Sequence, residues 1–147
     1  GLMAFMDGLR YLRGRPFILT LALVKAAGAL VWGGINVLEV PLAEKLFPIN
    51  GNGTLTLGIL YAIVGIGTGF GPVAMRQWLG DSRPAMMRGI GLSFALLTVG
   101  ILGLGLAPTL PWILAGTLVR ALGSGSVWVF SSALLQTVVA DRYRGRV

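Results

Sequence analysis

The stretch LTLGILYAIVGIGTGFGPVAM, residues 55–75, contains no charged side chain. The hydrocarbon core of a bilayer is crossed by about 20 helical residues, so this stretch is long enough to be a membrane span. Three further apolar stretches of similar length lie on either side of it in the chain. Together they predict four spans, at about 16–40, 55–75, 89–107 and 111–140. We therefore expect an all-α integral membrane protein, with residues 1–147 forming one domain in a lipid bilayer.

The composition supports this prediction and excludes several kinds of chemistry. The chain is 55% hydrophobic and 12% charged, whereas soluble domains carry about 25% charged residues. It contains no cysteine and no histidine, which excludes disulfides, thiol nucleophiles, Cys/His metal sites and imidazole catalysis. No cluster of acids or nucleophile–base pairs lies at a shared depth. We predict no metal, no cofactor and no enzymatic activity.

Basic residues indicate the orientation of the spans. Nine of the twelve basic residues lie in three short clusters beside the apolar stretches, so binding to nucleic acid is not expected despite the net charge of +7. Short loops rich in lysine and arginine stay in the cytoplasm, and only Lys45 lies on the opposite side. We expect both ends to be cytoplasmic, in a plasma membrane of the bacterial inner-membrane type. The nine residues are Arg10, Arg13, Arg15, Arg76, Arg83, Arg88, Arg142, Arg144 and Arg146.

The two terminal segments are predicted to lie outside the hydrocarbon. Residues 1–15 form either an amphipathic helix on the inner membrane surface or a plain juxtamembrane linker, and residues 141–147 form a cytoplasmic linker. We expect the chain to be a fragment of a longer protein.

Two ionisable residues, Lys25 and Arg120, interrupt apolar spans. Each lies nine residues from a span end, which places both about 13 Å deep and near the midplane. Lys25, Trp32, Asn36 and Glu39 share one face of the first span. Buried ionisable groups in membranes need a partner or a function, so we predict that this polar face of the first span points into protein or a water-filled cavity rather than into lipid, and that Arg120 requires hydrogen-bond acceptors. The alternative is that Lys25 snorkels or bonds backbone carbonyls while Trp32 and Asn36 only pack.

The acids of the chain are not predicted to reach these cations. Glu39 lies about 21 Å beyond Lys25 along the helix axis, and the other acids lie at the membrane surfaces. We therefore expect neutralisation by a segment outside this chain, by deprotonation of Lys25, or by an anionic or carbonyl-rich ligand.

Small residues in the second and fourth spans are typical of close helix packing. The packing candidates are Gly67, Gly71, Pro72, Gly123 and Gly125.

Four segments of the sequence resemble the second half of a major facilitator superfamily transporter, helices seven to ten of twelve. These are Gly8-Leu-Arg-Tyr-Leu-Arg-Gly-Arg-Pro16 before the first span, Gly80-Asp81-Ser-Arg83 with Arg88 between the second and third, Arg120-Ala-Leu-Gly123-Ser-Gly125 in the fourth, and Asp141-Arg-Tyr-Arg-Gly-Arg146 after it. Bacterial efflux permeases of the enterobactin and macrolide type are the most similar members.

The resemblance implies a secondary transporter that exports small molecules, of drug or siderophore type, by proton-coupled alternating access between two six-helix bundles. It also implies a missing N-terminal bundle, two missing final helices, and a cytoplasmic gate formed by Asp81, Arg83, Arg88, Asp141, Arg142 and Arg144. In such a transporter the substrate cavity would be lined by Lys25, Trp32, Asn36 and Arg120. Glu39 would be the best candidate for proton coupling, with a surface role as the alternative. The alternative is a stand-alone four-helix membrane protein, such as a channel subunit or an assembly factor, with no transport cycle of its own.

Overall fold

The computed structural model of the protein describes residues 2–139, and this part of the chain is helical without a β-strand. The predicted all-α fold is confirmed: four helices are long and apolar enough to cross a membrane. A short helix, α1, precedes them. The α-helices are α1 (Leu2–Arg13), α2 (Pro16–Pro41), α3 (Gly53–Leu79), α4 (Arg83–Gly105) and α5 (Leu110–Val138).

Local sequence explains where the spanning helices begin and end. Pro16 begins α2, where its missing N–H costs no hydrogen bond. The Asn52 side chain accepts a hydrogen bond from the Leu55 N–H and caps α3. Gly80, at φ 88°, ends α3 in a conformation that residues with a side chain rarely adopt.

Several helix boundaries differ from those expected; α3, for example, ends at Leu79 rather than near residue 75. The helix of the first span does not stop at Pro41 but continues as a π-helical turn, Leu42–Leu46. Helix α4 begins at Arg83 rather than near residue 89, because the Ser82 hydroxyl accepts a hydrogen bond from the Ala85 N–H and caps it. The first spanning helix and α4 therefore extend beyond the apolar spans predicted for them.

Helix α5 is the centre of the bundle and packs against α2, α3 and α4. Glycines allow the close approach on two of its faces. A Cβ at Gly71 of α3 would lie 2.8 Å from the Leu122 Cα, and one at Gly100 of α4 would lie 2.5 Å from the Arg120 backbone nitrogen. Antiparallel packing of α2 on α5 is shown by the contact of Gly28 with Val127 and by the contact of Glu39 with Arg120.

Candidate functional site

A cavity of about 450 Å³ lies between the four spanning helices. Helix α2 contributes Lys25 and Trp32, and α5 contributes Ser124 and Trp128. Helix α3 contributes Thr68, and α4 contributes Leu97. The wall is mainly apolar, and Lys25 is the one charged residue that lines it among residues 2–139.

The Lys25 ammonium lies over an aromatic ring. Its Nζ is 4.3 Å from the centroid of the Trp128 ring, which is within the range of a cation–π contact. Within residues 2–139, Lys25 forms no ion pair. The cation in the cavity is therefore stabilised by the ring alone and has no neutralising carboxylate in this part of the chain.

The second ionisable residue, Arg120, lies outside the cavity lining and forms a buried ion pair. Its Nη2 donates a hydrogen bond to Oε1 of Glu39, and each side chain is 1% exposed. The expectation that no acid of this chain reaches Arg120 is wrong. The surface position considered for Glu39 is also wrong, because this residue is fully buried.

Side-chain direction explains why this pair was missed. Depths compared along the helix axes separate Glu39 from the midplane, but side chains on a helix lean toward its N-terminus. Helices α2 and α5 are antiparallel, so the Glu39 and Arg120 side chains lean toward each other. The signal was present in the sequence as two long ionisable side chains on antiparallel spans.

The ion pair is incompletely hydrogen-bonded among the residues that the structure describes. Oε2 of Glu39 and both Nε and Nη1 of Arg120 are buried without a partner, and so is the hydroxyl of Thr117, one turn before Arg120. Four buried polar atoms thus have unused hydrogen-bonding capacity. Leaving such atoms without partners is costly.

The remaining predicted residues are dispersed over the fold. Asn36 is half-buried on α2 and does not line the cavity. Five residues predicted for packing are buried at helix contacts or next to them. Among these, Gly123 lies against Ser93 of α4 and Gly125 lies against Thr68 of α3.

The loop between α3 and α4 carries a second ion pair. Both Nε and Nη2 of Arg76 donate to the Asp81 carboxylate, the latter over 2.9 Å. This pair is exposed, and the hydrogen bond from Arg76 holds the pKa of Asp81 below its usual value. Arg83 instead stacks on the Phe17 ring, 4.5 Å from its centroid, and joins the start of α4 to the start of α2.

Arg88 is exposed on α4. The other predicted gate residues, Asp141, Arg142 and Arg144, lie outside the described residues. Arg76, which was not predicted as a gate residue, is the partner that holds Asp81. Its spacing of five residues from Asp81 across a Gly80 turn was the available signal.

Comparison with known proteins does not identify the chain: no family model matches it, and no curated protein or solved structure matches it.

Proposed function

We propose that this chain is part of a secondary active transporter that exports small molecules by alternating access. The observation that carries the proposal is the cavity that all four spanning helices line, with Lys25 in its wall. Small-molecule sites are typically cavities of about 300–1,000 Å³ with mostly apolar walls and a few polar groups. An ionisable residue in a membrane span is by default a functional residue.

Alternating access requires a second bundle that moves against this one. We propose that the partner segments are an N-terminal bundle and two final helices of the same polypeptide, as in the major facilitator superfamily. The exposed ring of Trp32 and the half-buried Lys25 would face that bundle across the substrate path. Substrates would be small molecules of drug or siderophore type.

Proton coupling is assigned to Glu39. Its carboxylate is the counter-charge of Arg120, and its second oxygen has no hydrogen-bond partner in the described part of the chain. Protonation of Glu39 would remove the charge that holds Arg120, so the link between α2 and α5 would weaken. A proton would thereby change how the two helices pack on either side of the cavity.

The proposed location is a bacterial inner membrane, with the Arg76 and Arg83 end in the cytoplasm. Cysteine scanning tests this orientation, because the chain has no native cysteine. In whole cells, an impermeant thiol reagent is expected to label Thr54→Cys and to leave Gln77→Cys unlabelled until the cells are opened. The reverse pattern would contradict the proposed orientation.

The transport test uses the complete gene that encodes this chain, expressed in bacteria that lack their own efflux pumps. We expect reduced accumulation of at least one compound in a panel of drugs and siderophores, and a protonophore should abolish the effect. Lys25→Gln should remove the export, whereas Lys45→Gln, a change at an exposed lysine outside the cavity, should preserve it. Unchanged accumulation of every compound, with normal amounts of protein in the membrane, would refute transport.

One observation favours the stand-alone alternative. Arg120 finds its counter-charge within these four helices, so it does not require an acid from another segment. The coding sequence discriminates between the two functions. A reading frame that continues through about eight further spans supports the transporter, whereas stop codons on both sides of the four spans would support a channel subunit or an assembly factor.

A further inference from the structure

The chemistry of the cavity is that of one cation among apolar walls. Lys25 supplies the charge, and the rings of Trp32 and Trp128 supply much of the apolar surface. The Thr68 hydroxyl is already used, since it donates to the Val64 carbonyl over 2.7 Å. The Ser124 hydroxyl makes no hydrogen bond within residues 2–139 and remains free for a ligand.

The Lys25 site lies deep in the span. Lys25 is nine residues from Pro16 and Trp128 is ten from Val138, which places them about 13 and 15 Å from the same end of the bundle. A phospholipid whose phosphate stays at the membrane surface does not reach this depth, because the hydrocarbon core is about 30 Å thick. A lipid phosphate is therefore a poorer counter-ion for Lys25 than a molecule small enough to enter the cavity whole.

Charge complementarity selects the class of that molecule. Within residues 2–139, Lys25 forms no ion pair and its Nζ lies over the Trp128 ring, and an anion at this position would provide a charge-assisted hydrogen bond among mainly apolar walls. A neutral ligand would leave the ammonium with the ring alone, and a cationic ligand would be repelled.

We propose that this cavity binds a small organic anion with an aromatic or apolar body. The acid group pairs with Lys25 and reaches the Ser124 hydroxyl, while the body lies against Trp32 and Trp128. The inference rests on the proposed function in that it names the substrate class of the same cavity. Acidic compounds, rather than the cationic or neutral ones in a drug panel, are then the substrates.

Direct binding tests the proposal with two probes of nearly the same shape, the anion 2-naphthylacetate and its neutral amide. The product of the complete gene is placed in phosphatidylcholine nanodiscs, and binding of each probe is measured by equilibrium dialysis. We expect the acid to bind about tenfold more tightly than the amide, the ratio for one charge-assisted hydrogen bond. Equal binding of the two probes would overturn the proposal without any variant being needed.

Variants test whether Lys25 is the residue that recognises the negative charge of the probe. Lys25→Gln should weaken binding of the acid to that of the amide, and Lys25→Arg should keep the preference for the acid. The matched control, Lys45→Gln, should bind both probes as the native chain does. Circular dichroism of each variant checks that the helices are intact. A Lys25→Gln chain that is folded and still prefers the acid would overturn the assignment.

A lipid as the true occupant is tested by repeating the dialysis with phosphatidylglycerol in the nanodiscs. Unchanged binding of the acid supports a small-molecule site, whereas its complete displacement by the anionic lipid refutes it. Failure of this proposal is separable from failure of transport. Export of neutral compounds without a preference for the acid would refute only the ligand class, and binding of the acid without export would refute only the transporter.

Discussion

Arg120 of α5 donates a hydrogen bond to Glu39 of α2, and the two residues are 81 positions apart in the chain. Each side chain is 1% exposed. The pair ties the first spanning helix to the last, and it lies beside the close contact of Gly100 with the Arg120 backbone. A single charged contact thus sits where α2, α4 and α5 come together.

Replacing Glu39 and replacing Arg120 are expected to lower the free energy of unfolding by different amounts. Glu39→Gln leaves a guanidinium that cannot lose its proton, and an unpaired buried charge costs about 3–5 kcal/mol. Arg120→Met should cost less, because the carboxyl of Glu39 can become neutral by binding a proton. Unfolding in mixed detergent micelles measures both.

The double variant Glu39→Gln/Arg120→Met is the control for this prediction. It should be more stable than Glu39→Gln alone, since no uncompensated charge remains. Additive losses in the double variant would mean that the two residues are not energetically coupled.

Two glycines of α4 are expected to respond oppositely to alanine. An added Cβ at Gly100 would lie 2.5 Å from the Arg120 backbone nitrogen and 2.7 Å from the Gly116 carbonyl oxygen. Gly100→Ala should therefore lower the free energy of unfolding by about 1–3 kcal/mol, the usual cost of overpacking. Gly91 has no such neighbour, and Gly91→Ala should be neutral or slightly stabilising because alanine favours helix. Equal destabilisation by both changes would argue against the close contact of α4 with α5.

Two serines of α5 test access to the cavity. Ser124 lines it, whereas Ser126 is fully buried and its hydroxyl donates to the Leu122 carbonyl over 2.8 Å. We expect a water-soluble methanethiosulfonate to modify Ser124→Cys faster than Ser126→Cys, with mass spectrometry as the readout. Faster reaction at position 126 would show that the cavity does not open where Ser124 lies.

The exposed pair of Arg76 with Asp81 predicts a pH dependence of the loop. Because the pKa of Asp81 is lowered in the folded chain, the pair stabilises the loop above the ordinary pKa of an aspartate and loses this effect as the pH falls through the lowered value. A carboxyl ¹³C NMR titration should show that Arg76→Gln raises the pKa of Asp81. Arg83→Gln should leave it unchanged, since Arg83 stacks on Phe17 instead. An unchanged titration of Asp81 in the Arg76→Gln chain would contradict the pair.

Local features of the sequence were sufficient to predict the helices, but they predicted the ends of the helices only in part. Ser82-Arg-Pro84 combines a capping side chain with a proline in the first helical turn, and together they indicate that α4 starts at Arg83. The predicted span instead began after the last charged residue of this segment. The π-helical turn after Pro41 was not readable, because the residue pattern there does not distinguish it from an ordinary helix end.

The residues that line the cavity follow only in part from the face that they share on α2. Lys25 and Trp32 line it, whereas Asn36 of the same face and Arg120 of α5 do not. The α5 contribution of Ser124 and Trp128 depends on how far that helix is rotated, and no property of α5 alone sets its rotation. The cation–π contact of Lys25 with Trp128 was unforeseen for the same reason.

The sequence by itself determined that this chain forms four membrane-spanning helices. Runs of about 20 apolar residues must satisfy their own backbone hydrogen bonds in lipid, and a helix achieves this within each run. Only the tertiary structure decided which side chains meet between helices. Glu39 pairs with Arg120 because two antiparallel helices direct long side chains toward each other, and that depends on the packing of α2 on α5 rather than on the residues of either helix.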